Sequence, residues 1–192
     1  MGLSRPLGAP PHQRQTNKKM KLKKEKNFVI ALGGSVICPK EIDVGFLRRF
    51  HQFLKKEIKK GHKFVIVPGG GIVARKYQIA ASKITGVLNE DKDWLGIHAT
   101  RINAHLLRTI FRKEANPVVF DGRFKVKKFG EYSIIIASGW KPGWSTDYVA
   151  LRIAADFKVK QVVILGKPDF VYTSDFEKNH NSKPVEKMEW IT

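Results

Sequence analysis

The sequence predicts an α/β fold with a mostly parallel central sheet covered by helices on both faces. Two observations carry that prediction. Short, largely apolar runs recur at residues 28–32, 63–67, 132–137 and 161–165, each too brief for a helix and bounded by chain breakers, as strands buried on both faces are. Three of these runs end in a loop of small residues that leads on to a helical pattern, the alternation that builds a parallel sheet. Ligands in such folds gather outside the carboxyl ends of the strands.

The first run, Phe-Val-Ile-Ala-Leu at 28–32, stops at Gly33, Gly34 and Ser35. Glycines there let backbone amides approach a neighbour closely, and polyphosphate is the commonest such neighbour in an α/β protein. An ordinary Gly-Gly turn is the plainer reading. Asp43 is a suitable N-cap for a helix reaching about Lys60, with Phe46, Leu47, Phe50, Phe53, Leu54 and Ile58 spaced by three and four. Arg48, Arg49, Lys55, Lys56 and Lys59 then face water, and Gly61 closes the helix.

The second strand breaks at Pro68-Gly69-Gly70-Gly71, and the next helix runs through Ile72, Ala74, Tyr77, Ile79 and Ala80. Amides at that helix start favour an anion. Arg75 and Lys76 stand against the helix dipole, which a phosphate between them would explain, although a plain surface role fits equally well. Residues 85–93 read as a polar loop. A long helix is predicted over 94–114, burying Leu95, Ile97, Ile102, Ala104, Leu106, Leu107 and Ile110, with His98, Thr100, Arg101 and Asn103 on its solvated face.

Residues 117–120 form a short strand, Asp121-Gly122 a turn, and 123–131 a basic connector. The strand at 132–137 enters the loop Ser138-Gly139-Trp140-Lys141-Pro142-Gly143-Trp144-Ser145-Thr146-Asp147, and a helix carrying Val149, Ala150, Ile153 and Ala154 follows. Two glycines, two hydroxyls, a lysine and an aspartate at a strand's carboxyl end suit nucleotide phosphate and Mg²⁺. In the plainer reading Ser145 or Thr146 caps the helix and Asp147 complements its dipole. The last strand, 161–165, precedes Gly166-Lys167-Pro168-Asp169-Phe170-Val171-Tyr172.

Composition narrows the class. The 192 residues suit one domain, and 42% hydrophobic with 28% charged residues is ordinary for a globular protein. No apolar run approaches the roughly 20 residues that span a bilayer. The single cysteine, Cys38, excludes an internal disulfide framework, fits a reducing cytoplasm and reads as a small loop or core residue. The formal net charge is +19, of which +7 falls in residues 1–26, where eight basic residues face the single acid Glu25. That segment has little to bury and reads as a disordered basic tail, able at most to make weak nucleic-acid contacts. Residues 27–192 are read as one domain that is incomplete at its C-terminus, since Thr192 is a good N-cap with no helix after it.

With these loops in hand, the chain resembles the amino-acid kinase superfamily and, within it, the archaeal type of UMP kinase. The resemblance rests on Gly33-Gly34-Ser35, Gly69-Gly70-Gly71 with Ala74-Arg75-Lys76-Tyr77, the stretch from Gly96 to Ala104, Ser145-Thr146-Asp147, and Asp169-Phe170-Val171-Tyr172-Thr173. It implies a three-layer αβα sandwich, usually a homohexamer, that transfers the γ-phosphoryl group of ATP to UMP with Mg²⁺ and needs no dedicated metal site. Gly33, Gly34 and Ser35 would hold the transferring phosphoryl group and belong to the ATP side, with Lys167, Asp169 and Tyr172 flanking ATP. Gly70, Gly71 and Arg75 would hold UMP, with Ser138, Gly139 and Ser145 closing on the nucleotides. Thr146 and Asp147 would sit at the transfer centre together with Gly34. Many relatives carry a lysine where this chain has Ala31, so Lys141 or Lys167 would supply catalytic positive charge. The loop in relatives usually reads Gly-Gly without tryptophan, whereas here Trp140 and Trp144 are present, and Phe170 replaces a usual glycine. The alternatives are a related kinase with another small phosphate or carboxylate acceptor, and a non-catalytic anion- or RNA-binding descendant.

Overall fold

The structure is a computed structural model that describes residues 26–123, 128–166, 173–174, 179 and 181–185. The expected tail up to Glu25, and Lys167, Asp169, Phe170 and Tyr172, lie outside the described residues.

Five parallel strands form one sheet: β1 (Asn27–Leu32), β2 (Lys63–Pro68), β3 (Ala115–Phe120), β4 (Ile134–Ala137) and β5 (Val162–Leu165), in the order β3-β4-β2-β1-β5. The first two strands in sequence lie at the centre, in register from Asn27↔Lys63 to Leu32↔Pro68. Side chains alternate across the pleat. Val29, Ala31, Val65, Val67, Ile135 and Ala137 build one core against Val149, Ala150, Ile153 and Ala154 of the helix α5 (Thr146–Phe157). Ile30, Leu32, Phe64, Ile66, Ile134 and Ile136 build the other, against Leu47, Phe50 and Leu54 of α2 (Val44–Lys59) and Ala104 and Leu107 of α4 (Asn89–Ile110). Helices therefore flank both faces, as expected for three layers. Between them, α1 (Gly34–Ile37) is a single turn after β1, and α3 (Gly71–Ile84) packs along α4.

Local signals worked where the sequence supplied a cap. Asp43 Oδ1 accepts a hydrogen bond from the Phe46 amide at 2.7 Å, and Gly61 adopts φ +86° just past the C-terminus of α2. Cys38 is buried and free.

Several expectations need correction. The helix predicted from 94 begins at Asn89, so most of the supposed loop 85–93 is helical; Glu90 and Asp91 in its first turn suit the dipole. Ile102 and Phe53, read as core, are 61% and 55% exposed. Thr100 and Asn103, read as solvated, are buried at 5% and 1%. The face of α4 that meets the sheet is thus rotated toward its polar residues, because the loops it covers have backbone groups to satisfy. Among the described residues β5 is an edge strand with Val163 and Ile164 exposed, although its sequence is as apolar as that of the central strands.

Candidate active site

The glycine loops after β1 and β2 meet each other. A Cβ on Gly34 would run into the Gly71 backbone, and a Cβ on Gly71 would stand 2.6 Å from the Gly34 carbonyl oxygen. Gly71 also has φ +60°, a conformation that disfavours any side chain. The close neighbour inferred for Gly34 is therefore, in the first place, a second glycine loop. Hydrogen bonds fix both loops to the sheet: Gly69 N–H donates to Leu32 O at 2.8 Å, and Gly33 N–H donates to Leu165 O at 2.6 Å. The Gly33 amide is thus occupied.

Two buried side chains of α4 tie the remaining loops down. Asn103 Nδ2 donates to Gly69 O at 2.7 Å. Thr100 Oγ1 donates to Ile97 O at 2.7 Å and accepts from Gly139 N–H at 2.8 Å. The hydroxyl uses both its donor and its acceptor capacity. Sequence reasoning missed both residues, because on a helix a lone Thr or Asn ordinarily faces water. A polar residue on the same stripe as Ala99, Ala104 and Leu107 was the available signal.

What results is a polar cleft of about 270 Å³ between the start of α3, the middle of α4 and the loop after β4. It brings together the predicted Gly70, Gly71, Arg75, Gly139, Lys141 and Thr146, and adds Gln78, Asp93, Gly96, Thr100 and Trp144. Helix α3 begins without a side-chain cap and without an acid in its first turn, a start of the kind that suits an anion. Arg75 is exposed in its second turn. Asp93 is already engaged on one oxygen, Oδ2 accepting from Gly143 N–H at 2.7 Å.

Other predicted residues stand differently. Ser138 is fully buried, its hydroxyl directed to Gly139 O at 3.3 Å. Ser145 caps α5, Oγ accepting from Tyr148 N–H at 3.1 Å, so the capping reading holds for this residue. Thr146 follows as the first helical residue and Asp147 as the second. Asp147 is exposed overall, yet partial burial pushes its carboxyl above the usual aspartate range. Gly33, Gly34, Ser35, Ser138, Ser145 and Asp147 flank the cleft in sequence or packing but are not among its lining residues.

The two loop tryptophans lie together, ring centroids 6.2 Å apart, but differ in exposure. Trp140 is buried in the core beneath α5, whereas Trp144 packs on the margin of that core and also lines the cleft. Among the described residues no three His, Cys, Asp or Glu side chains come together to hold a metal. A larger apolar cavity of about 370 Å³, lined by Phe28, Phe50, Phe53, Phe64, Val163 and Leu165, adjoins β5. Apart from Glu57 and His62 its lining is apolar, and no glycine loop faces it, so it lacks the parts for phosphate chemistry.

No described helix is long and apolar enough to cross a membrane. The sequence profile of the amino acid kinase family matches residues 26–192. The uridylate kinase of Thermococcus kodakarensis is 40% identical over 163 residues, covering 84% of this chain and 71% of that protein. The uridylate kinase of Methanococcus vannielii is 35% identical over 167 residues, covering 84% and 72%. Among solved structures, the uridylate kinase from Archaeoglobus fulgidus superposes with a TM-score of 0.68 at 27% identity, covering 81% of this chain and 71% of that one. The UMP kinase from Bacillus anthracis superposes with a TM-score of 0.63 at 21% identity, covering 83% and 72%, and so speaks for the fold. Sheet order, paired glycine loops and these similarities agree, and the chain belongs to the amino acid kinase family.

Proposed function

We propose that the chain is a nucleoside monophosphate kinase that transfers the γ-phosphoryl group of ATP to UMP. A phosphate oxygen of UMP attacks the γ-phosphorus, the bond from that phosphorus to the β–γ bridging oxygen breaks, and UDP and ADP result. The observation that carries this reading is the polar cleft, where the uncapped start of α3 and Arg75 face Lys141 and Thr146 from the loop after β4. Phosphoryl transfer asks a protein chiefly for positioning and for positive charge around the spreading negative charge.

In this reading the α3 amides at Gly70 and Gly71 and the Arg75 guanidinium take the UMP phosphate. Arg suits that task because its planar fork makes paired bonds to phosphate oxygens. Asp93, an acceptor with one oxygen already bound, suits hydroxyls rather than phosphates. Gly33, Gly34 and Ser35 flank the phosphates of ATP, and Lys167, Asp169 and Tyr172 belong to the ATP side by the family resemblance. Thr146 and Asp147 sit nearest the transfer centre, where Mg²⁺ arriving with ATP would meet the Asp147 carboxylate. Lys141 supplies the positive charge that Ala31 cannot. The same resemblance supports a homo-oligomer, and exposed Tyr77, Ile84 and Leu88 give it apolar surface to bury.

The test is an ADP-release assay with ATP and Mg²⁺ across UMP, CMP, AMP and GMP. UMP should turn over at least about tenfold faster than the others, in line with discrimination by a few polar contacts. Turnover with another acceptor in preference, or none with UMP, would overturn the reading.

A further inference from the structure

The loop that closes the cleft contains Lys141-Pro142-Gly143-Trp144, and its sequence dictates its shape. Proline presets the second position of a β-turn, and glycine supplies the positive φ of the third, here +79° at Gly143. Trp144 N–H donates to Lys141 O at 3.3 Å, completing the turn. Such a turn sets its first and fourth residues side by side. Accordingly, Lys141 Nζ lies 4.6 Å from the centroid of the Trp144 ring.

The pair is held in place from behind. The Asp93 carboxylate takes the Gly143 N–H, and the Thr100 hydroxyl takes that of Gly139, so α4 grips the loop at two points. Tyr148 packs against Trp144 with the rings at 76° and 4.6 Å between centroids. Lys141 and Trp144 both line the cleft with Arg75 and Thr146. None of the ion pairs among the described residues involves Lys141, which leaves the indole as its partner.

We propose that Trp144 is a positioning residue for Lys141: the indole holds the ammonium at the rim of the cleft, and a phosphate oxygen of a bound nucleotide draws it off. The proposal rests on the phosphoryl-transfer reading and adds to it how the catalytic charge is kept ready. The relative strengths set the direction. An exposed cation–π contact shifts an equilibrium only about two- to fivefold, whereas a charge-assisted bond to phosphate is worth roughly tenfold or more. Lys141 therefore prefers phosphate when phosphate is there and indole when it is not. Holding the ammonium on the indole also restricts a long side chain that would otherwise sample many rotamers.

The test uses the full chain. Tryptophan emission is followed during titration with UMP, ATP without Mg²⁺, and pyrophosphate, with binding measured in parallel by calorimetry. Trp94, Trp140 and Trp190 also emit, so the Trp144 signal is the difference from Trp144→Phe. Binding should change that signal, and Lys141→Met should abolish the change while still binding nucleotide within about tenfold of the parent. In turnover, Lys141→Met should lower kcat about tenfold or more and Trp144→Leu about three- to fivefold, with Trp144→Phe closer to the parent. The double variant Lys141→Met/Trp144→Leu should be no slower than Lys141→Met alone, because Trp144 acts through Lys141. A residue serving only the fold would instead add its loss. Additive losses, calorimetric binding without a Trp144-dependent signal, or no binding of any of the three probes would each overturn the proposal. The emission arm needs no turnover. A signal that depends on Lys141, in a chain that prefers an acceptor other than UMP, supports this inference and sinks only the choice of acceptor.

Discussion

Asn103 Nδ2 donates to the Gly69 carbonyl at 2.7 Å, joining the middle of α4 to the glycine loop 34 residues earlier in the chain. Asn103 is 1% exposed. Replacing it with alanine leaves a buried carbonyl unsatisfied, at a cost of about 1–3 kcal/mol. We expect Asn103→Ala to lower the free energy of unfolding, read from urea denaturation, by that amount and, on the proposed site, to raise the KM for UMP, since the loop it holds carries Gly70 and Gly71. An unchanged midpoint would mean that water replaces the amide at no cost.

The contact between Gly34 and Gly71 leaves no room for a methyl group. Gly34→Ala forces two backbones apart, and overpacking of this kind costs about 1–3 kcal/mol or more. A methyl group on Gly86, by contrast, would meet nothing within 4 Å, and the backbone there has no positive φ. Gly86→Ala should therefore stay within about 0.5 kcal/mol of the parent. Thermal midpoints of the two variants test this directly, and equal values would argue that the loops do not pack as described.

Asp147 and Arg75 should fail differently when changed. On the proposed site, Asp147→Asn keeps the shape and removes a charge beside the transferring phosphoryl group, so kcat should drop by about 100-fold with UMP affinity largely kept. Arg75→Ala would remove the proposed charge-assisted contact to the UMP phosphate, worth roughly 1.5–3 kcal/mol, so the KM for UMP should rise about tenfold or more. If Asp147→Asn keeps full kcat in an otherwise active enzyme, its place in the first turn of α5 is its whole role.

The same aspartate makes a prediction about pH. Partial burial raises its pKa in the folded chain above the unfolded value. A carboxyl shifted that way favours folding below its unfolded pKa, and the contribution is lost as pH rises through the folded pKa. Asp147→Asn should thus be at least as stable as the parent at pH 7. That advantage should vanish below the ordinary aspartate pKa of about 3.9. Denaturant midpoints at the two pH values decide it; a less stable variant at pH 7 would show that the helix dipole outweighs burial.

The strands were legible because a run such as Val29 to Leu32, apolar at every position, has only one economical use in a chain of this length. The cap at Asp43 and the stop at Gly61 were legible because each is a local preference, decided by the residue's own backbone and its near neighbours. The family resemblance likewise followed from short motifs in order. None of these needs a partner from elsewhere in the chain.

Tertiary structure decided the rest. Whether Val163 and Ile164 lie inside or at an edge depends on which strands sit beside β5, and no property of the run 162–165 records that. Which tryptophan fills the core and which faces the cleft depends on where α5 crosses the loop. Thr100 and Asn103 are polar residues whose only sequence signal is their apolar stripe-mates; they are buried because two loops, at Gly69 and Gly139, present backbone groups that a side chain satisfies. The sequence by itself determined the strands, the breaks and the chemistry available at them. Only the packed chain decided which of those groups meet, because a hydrogen bond or a glycine contact between distant segments exists only once the sheet has brought them together.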